Sequence, residues 1–174
     1  IESLITKRTR AIVVINPNNP TGAVYPRTVL EAIARIAEKH HLVVLADEIY
    51  DQMTYDGAES IPMATLVHDT LCCTLSGLSK IWRACGYRVG WAVFSGRREG
   101  AGDYLQAIEL LSSLRLCANV PGQWAVQTAI GGYQSINELI VSGGRLHDQR
   151  EAAWKMLNAI PGVTCATPGG AFYA

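Results

Sequence analysis

Six polar side chains in this sequence have the types and the spacing to work on one ligand: Asn19, Asp47, Tyr50, Ser79, Lys80 and Arg88. Lys80 lies in "LSGLSKIWRACGYRVGW", residues 75–91, between a serine and a bulky apolar pair. A lysine amine so placed is either a solvated charge or a nucleophile that forms a Schiff base with a carbonyl. Arg88 follows eight residues on, and an arginine fork grips phosphate oxygens two at a time. Asp47 closes the apolar run "LVVLA", where a carboxylate needs a cationic partner or strong donors. Taken singly, each residue also has a plain structural role. Asp47 fits a helix cap or an ion pair, Tyr50 fits core packing, and Asn19 fits an Asx turn.

The elements around them bring these residues to one place. "AIVVIN" (11–16) is a β-branched apolar run that ends at "NPNNPTG", so it reads as a buried strand and a turn. Pro26 opens a helix at its first position, with Leu30, Ile33 and Ala37 on one apolar face. "LVVLADE" (42–48) is a second strand, and strand–helix–strand predicts a βαβ unit with a parallel sheet. The strands are continuously apolar, which predicts a sheet covered on both faces. "TLCCTLSG" (70–77) and "VGWAVFSG" (89–96) read as two more strands. The rest is helical: about 98–114 with apolar positions at Tyr104, Ile108, Leu111 and Leu114, a helix from Pro121, and a long one in "GGRLHDQREAAWKMLNAI". In that last helix Leu146, Ala153, Met156 and Leu157 form the apolar side, and "GVTCATPGGAFYA" reads as the start of a β-hairpin. The fold class is therefore α/β with a mainly parallel sheet. In such sheets ligands bind beyond the carboxyl ends of the strands, where all six residues fall.

Composition narrows the function. Fifteen Lys and Arg balance fifteen Asp and Glu in 174 residues, so no field favours nucleic acid or an anionic membrane. No apolar run approaches the ~18–20 residues needed to span a bilayer. Five cysteines without a CxxC pair argue against zinc and read as small buried side chains in a reducing compartment. The opening "IESLITKRTR" carries no secretory pattern, and a cytoplasmic location is expected. Both ends read as cut within elements.

One ligand class would use every residue on the rim. An aromatic cofactor with a ring nitrogen, a phenolic oxygen, an aldehyde and a phosphate needs a carboxylate, hydroxyl and amide donors, a lysine and an arginine. "NPNNPTG", "ADEIY" and "SGLSKIWRACGYRVGW" resemble the three signature segments of fold-type I, class I/II aminotransferases, which use pyridoxal 5'-phosphate (PLP). "LRLCANVPGQ", "GGYQSI" and "GGRLHDQREAAW" resemble bacterial alanine aminotransferases of the glutamate–pyruvate type.

The resemblance implies roles. Asn19 and Tyr50 would donate to the PLP phenolic oxygen, and Asp47 would partner the pyridine nitrogen. Lys80 would form the Schiff base and shuttle the proton. Ser79 and Arg88 would hold the phosphate. Where many relatives place a phosphate-binding serine, three before the lysine, this chain has Gly77, and Ser76 is only a possible substitute. Glu48 is expected to be a structural partner, and Arg97 and Arg98 to form a solvated loop. His40, His41, His68 and His147 are expected at the surface or at helix ends. Arg115 lies in a region that in this family approaches the partner subunit's site.

The resemblance further implies a longer homodimeric enzyme of which this chain is the central piece. Residues 1–142 would be part of the large PLP-binding domain, and 143–174 the connecting helix and the start of a small α+β domain. The implied substrates are an amino acid and a 2-oxo acid, most simply alanine and 2-oxoglutarate giving pyruvate and glutamate. Aspartate transamination, carbon–sulfur elimination, a PLP-sensing domain of a regulator and an inactive fragment are the alternatives.

Overall fold

The computed structural model describes residues 1–174. Four strands, β1 (Ala11–Ile15), β2 (Val43–Asp47), β3 (Leu71–Gly77) and β4 (Gly90–Gly96), form one sheet in the order β1-β2-β3-β4. The first three are parallel, with Val14 opposite Ala46 and Ala46 opposite Thr74. β4 is antiparallel to β3, with Cys73 opposite Phe94. A parallel return needs a crossover element. The 78–89 connection supplies only one short 3-10 turn, Cys85–Tyr87, so the chain doubles back. As a result β4 starts at the rim where β1, β2 and β3 end.

Helix α1 (Arg27–Lys39) covers one face of the sheet. Its sequence is rich in strong helix formers, and Lys39 sits in the last turn, where a cation suits the helix dipole. Pro26 lies one position outside the helix, in an extended conformation, rather than at its first residue. Its carbonyl still receives the first helical bonds, from Val29 and Leu30. Leu30, Ile33, Ala34 and Ala37 are buried against Val14, Val44, Ala46 and Cys72. Burying a leucine such as Leu30 fully contributes about 2 kcal/mol.

The opposite face is not covered as the apolar strands predict. Val13 is 62% exposed and Leu75 is 38% exposed, because no helix of these residues packs there. Asp47 belongs to this open face, since Ala46 before it points toward α1.

A second core gathers Tyr50, Met53, Tyr55, Ile81, Ile136 and Ala171. It joins the segments that follow β2 and β3 to α4 (Ile136–Leu139) and the last residues of the chain. Helix α5 (Arg145–Asn158) packs beside it through part of the expected face, with Leu146 and Leu157 half-buried. Met156 is 71% exposed, and Ala153 is exposed. Leu146 and Trp154 are half-buried, and the Arg150 side chain between them is buried. Arg150 can sit inward because its stem is apolar and its guanidinium lies 4.6 Å from the Tyr55 ring centroid.

Three other expectations are corrected. Helix α2 (Gly102–Ser113) buries no residue; Tyr104, Leu111 and Leu114 are exposed, because no neighbouring element covers that side. Helix α3 (Val120–Gly131) begins one residue before Pro121, capped by the Asn119 side chain, which accepts from the Gly122 N–H at 3.1 Å. Residues 162–174 form no hairpin. Their only ladder contact is a bridge between Gly170 and Thr54, because this segment spends its backbone groups on the turns beside the sheet rim. Of the cysteines, Cys72 and Cys73 are buried, whereas Cys85 and Cys117 are exposed.

Candidate functional site

The carboxyl rim of the sheet holds an open cleft of about 330 Å³ lined by Asn19, Asp47, Ile49, Tyr50, Leu75, Ser76, Ser79 and Lys80. Five of the six residues singled out in the sequence therefore meet there. They are set by the ends of three strands, β1, β2 and β3, and by the turns that follow them.

Asn19 stands in the turn after β1. The Asx role in this turn belongs to its neighbour Asn18. The Asn18 Oδ1 accepts from the Thr21 hydroxyl (2.7 Å) and N–H (3.3 Å), and its amide donates to the Ile15 carbonyl (3.2 Å). With those tasks taken, the exposed Asn19 amide has no partner within the chain and is free for a ligand.

Asp47 ends β2. Its Oδ1 accepts from the Ile49 N–H at 3.2 Å, and no lysine, arginine or histidine pairs with it. A carboxylate beside apolar walls without a cation is poised for a positively charged group on a ligand. Its neighbour Glu48 is different. Glu48 is 7% exposed, accepts from the Met63 N–H at 2.7 Å, and burial raises its pKa. It is the structural partner expected of it.

Tyr50 is 2% exposed and its hydroxyl lies 2.7 Å from the Tyr173 hydroxyl. Burial, the Tyr173 hydrogen bond and the nearby charges push its pKa above the usual tyrosine value, so it remains a phenol. Phe172 and Tyr173 both meet its ring edge-on, with centroids 5.3 and 5.7 Å away.

Lys80 follows β3 in the connection to β4. Its amine lies 5.9 Å from the Tyr50 ring centroid and 5.5 Å from that of Phe172, and no carboxylate pairs with it. Two aromatic faces stabilise the ammonium without fixing it in a salt bridge.

Gly77 is required by close strand packing. A Cβ at this position would stand 2.7 Å from the Val89 carbonyl oxygen. A serine there would force β3 and β4 apart, whereas Ser76 and Ser79 both line the cleft. The structure thus places Ser76 on an equal footing with Ser79.

Arg88 is the exception. It takes a left-handed conformation (φ 51°, ψ 46°) just before β4, and its Nη1 donates to the Cys85 carbonyl at 2.9 Å. It lines a separate groove with Trp91 and Arg115. Two neighbours that no sequence signal singles out belong to the site's surroundings. Phe172 and Tyr173 are more than 90 residues from Lys80 in the chain, and no spacing rule links them to it.

The remaining polar residues take up structural positions. His40 and Lys39 both contact Glu2, at 2.8 and 2.7 Å, and His147 lies 3.5 Å from Asp56. Arg97 makes an exposed pair with Glu99.

This donor set suits a phosphorylated pyridine aldehyde. It offers a free amine, an unpaired carboxylate, a phenol held protonated, an amide and two hydroxyls in one open cleft.

Known proteins resemble the chain in sequence and fold. The family sequence profile described as aminotransferase class I and II matches residues 1–174. The chain is 54% identical over 173 residues to the glutamate-pyruvate aminotransferase AlaA of Escherichia coli, which covers 99% of this chain and 43% of that protein. It is 53% identical over 174 residues to the alanine aminotransferase of Mycobacterium tuberculosis, covering 100% of this chain and 41% of that one. A crystal structure of an aminotransferase from Escherichia coli superposes with a TM-score of 0.95 at 54% identity, over 97% of this chain and 42% of the other. The chain thus spans less than half the length of the relatives it matches. On the profile, the sequence identity and the shared fold together, the chain belongs to the class I and II aminotransferase family.

Proposed function

We propose that this chain is the cofactor-holding part of a PLP-dependent alanine aminotransferase of the glutamate–pyruvate type. The observation that carries the reading is the convergence of Asn19, Asp47, Tyr50, Ser79 and Lys80 on one cleft. The names of the relatives at 53–54% identity support the substrate class.

When bound there, PLP supplies an electron sink for the carbanion left when the substrate loses its α-proton. The chain's own residues do the rest. Asp47 would partner the ring nitrogen and keep it protonated. Tyr50 and Asn19 would donate to the phenolic oxygen. Lys80 would hold the cofactor through its amine and, once released, would move the proton at the substrate α-carbon. Ser79 and Ser76 would donate to the phosphate, and Arg88 would join them on exchanging the Cys85 carbonyl for it.

Residues 1–142 belong on this reading to the large cofactor-binding domain, and 143–174 begin the small one. The same reading makes the protein a cytoplasmic homodimer acting on amino acids and 2-oxo acids. A scan of amino donors with the full-length protein tests it. Alanine with 2-oxoglutarate should support turnover best, and turnover with neither alanine nor aspartate would refute the substrate assignment.

A further inference from the structure

The Tyr50 hydroxyl has one hydrogen-bond partner in the protein, Tyr173, across 123 residues of sequence. The backbone carrying Tyr173 is held from both sides. Tyr55 donates its hydroxyl to the Ala171 carbonyl at 2.8 Å and its N–H to the Gly169 carbonyl at 2.9 Å. The Ala171 N–H donates to the Met53 carbonyl at 2.8 Å, and the Gly169 and Gly170 N–H groups donate to Gly22 (2.8 and 2.9 Å) in the turn that carries Asn19. Gly22 has φ +67°, and a Cβ on it would lie 2.5 Å from the Tyr173 carbonyl oxygen. Arg150 adds a bond to the Pro168 carbonyl at 3.2 Å. A segment pinned this closely presents its side chain at a fixed place.

We infer that Tyr173 is a positioning residue for the cleft: it donates its proton to the Tyr50 oxygen and leaves the Tyr50 O–H aimed at the ligand. A phenol has one proton to give and two lone pairs to accept with. If Tyr50 spent its proton on Tyr173, it would have none for the cleft it lines. With Tyr173 as the donor, both hydroxyls are satisfied and the chain Tyr173 to Tyr50 to ligand is polarised in one direction, which strengthens its last bond. Burial, with a smaller contribution from the charge of Asp47, opposes a tyrosinate and keeps that last proton in place. The ligand end of this chain rests on the PLP reading above; the Tyr173–Tyr50 bond does not.

The experiment uses Tyr173→Phe in the full-length protein labelled with tyrosine carrying 13C at Cζ. The Tyr50 resonance is assigned by its loss in Tyr50→Phe. At neutral pH without added cofactor, Tyr173→Phe should move that resonance, because the oxygen it reports loses its donor. With PLP bound, the pH titration of the visible Schiff-base band should shift upward by about half a unit, as a weaker Tyr50 donor leaves more negative charge on the phenolic oxygen. In a Tyr50→Phe background, Tyr173→Phe should add no further shift. Tyr55→Phe, which frees the Ala171 carbonyl, should give a smaller shift in the same direction. An unmoved Tyr50 resonance in Tyr173→Phe, or additive shifts in the double variant, would overturn the inference. A wild-type protein that bound no PLP would refute the function above, and the resonance would still decide the tyrosine pair.

Discussion

Arg88 donates to the Cys85 carbonyl at 2.9 Å and lines a groove separate from the cleft that holds Lys80. The bond is exposed, and a typical protein hydrogen bond of this kind is worth about 1 kcal/mol. A phosphate is the stronger partner for a guanidinium. Cofactor binding should therefore draw Arg88 away from Cys85. Replacing Arg88 by glutamine should weaken PLP affinity about 10-fold to 100-fold, corresponding to the loss of about 1.4–2.8 kcal/mol. Equilibrium dialysis of the variant measures it, and an unchanged affinity would show that Arg88 stays where it is.

On the proposed reading, Asp47 is the residue whose charge, rather than shape, matters most. Asp47→Asn preserves the bond from the Ile49 N–H and the side-chain volume. It should leave the fold intact and lower kcat about 100-fold or more, by analogy with other preorganised electrostatic groups. Glutamate at the same position should restore part of the loss. Steady-state kinetics beside a thermal melt separate this from misfolding.

The serine that many relatives carry three residues before the lysine should not be transferable to this chain. Gly77→Ser places a Cβ against the Val89 carbonyl, so it should destabilise the protein by about 1–3 kcal/mol. Ser76→Ala should leave stability unchanged and weaken PLP binding about 5-fold, the loss of about one hydrogen bond. Denaturation midpoints and dialysis read the two effects separately.

The Arg150–Asp56 pair gives the pH dependence of stability a defined sign. Arg150 lies 2.6 Å from Asp56, and its hydrogen bond holds the Asp56 pKa below the usual carboxylate value. A carboxyl with a lowered folded pKa contributes stability that is present above its unfolded pKa and lost as pH falls through the folded one. Asp56 is 57% exposed in its side chain, so solvent screening limits the contribution to about 1 kcal/mol. Asp56→Asn should cost that amount at pH 7. The difference from wild type should shrink progressively below about pH 4. A difference that persisted unchanged at low pH would exclude this ion pair as its source.

Much of the architecture was written locally. The apolar runs around Val14, Val44 and Cys72 define β1, β2 and β3, and Leu30, Ile33 and Ala37 mark the buried side of α1. Asn19, Asp47, Tyr50, Ser79 and Lys80 could be placed on one rim because strand ends dictate where they fall. What the sequence did not disclose depends on distant partners. Arg150 lies on the buried side of α5 because Tyr55 and Asp56 receive it, and nothing near position 150 says so. Leu111 and Leu114 have helical spacing, but a buried face also needs a covering element. The last thirteen residues read as a hairpin because Val163 and Thr164 favour strands; their backbone partners are instead the turns at Gly22 and Met53. Tyr173 was invisible for the same reason, since its partner is 123 positions away.

The central claim is that Lys80 carries the cofactor. Full-length protein incubated with PLP, reduced with borohydride, digested and weighed peptide by peptide tests it in one measurement. The account predicts the phosphopyridoxyl mass on the peptide containing Lys80 at close to one label per chain, and no such label in Lys80→Ala. Label on another lysine, or retention of a specific label in Lys80→Ala, would contradict it.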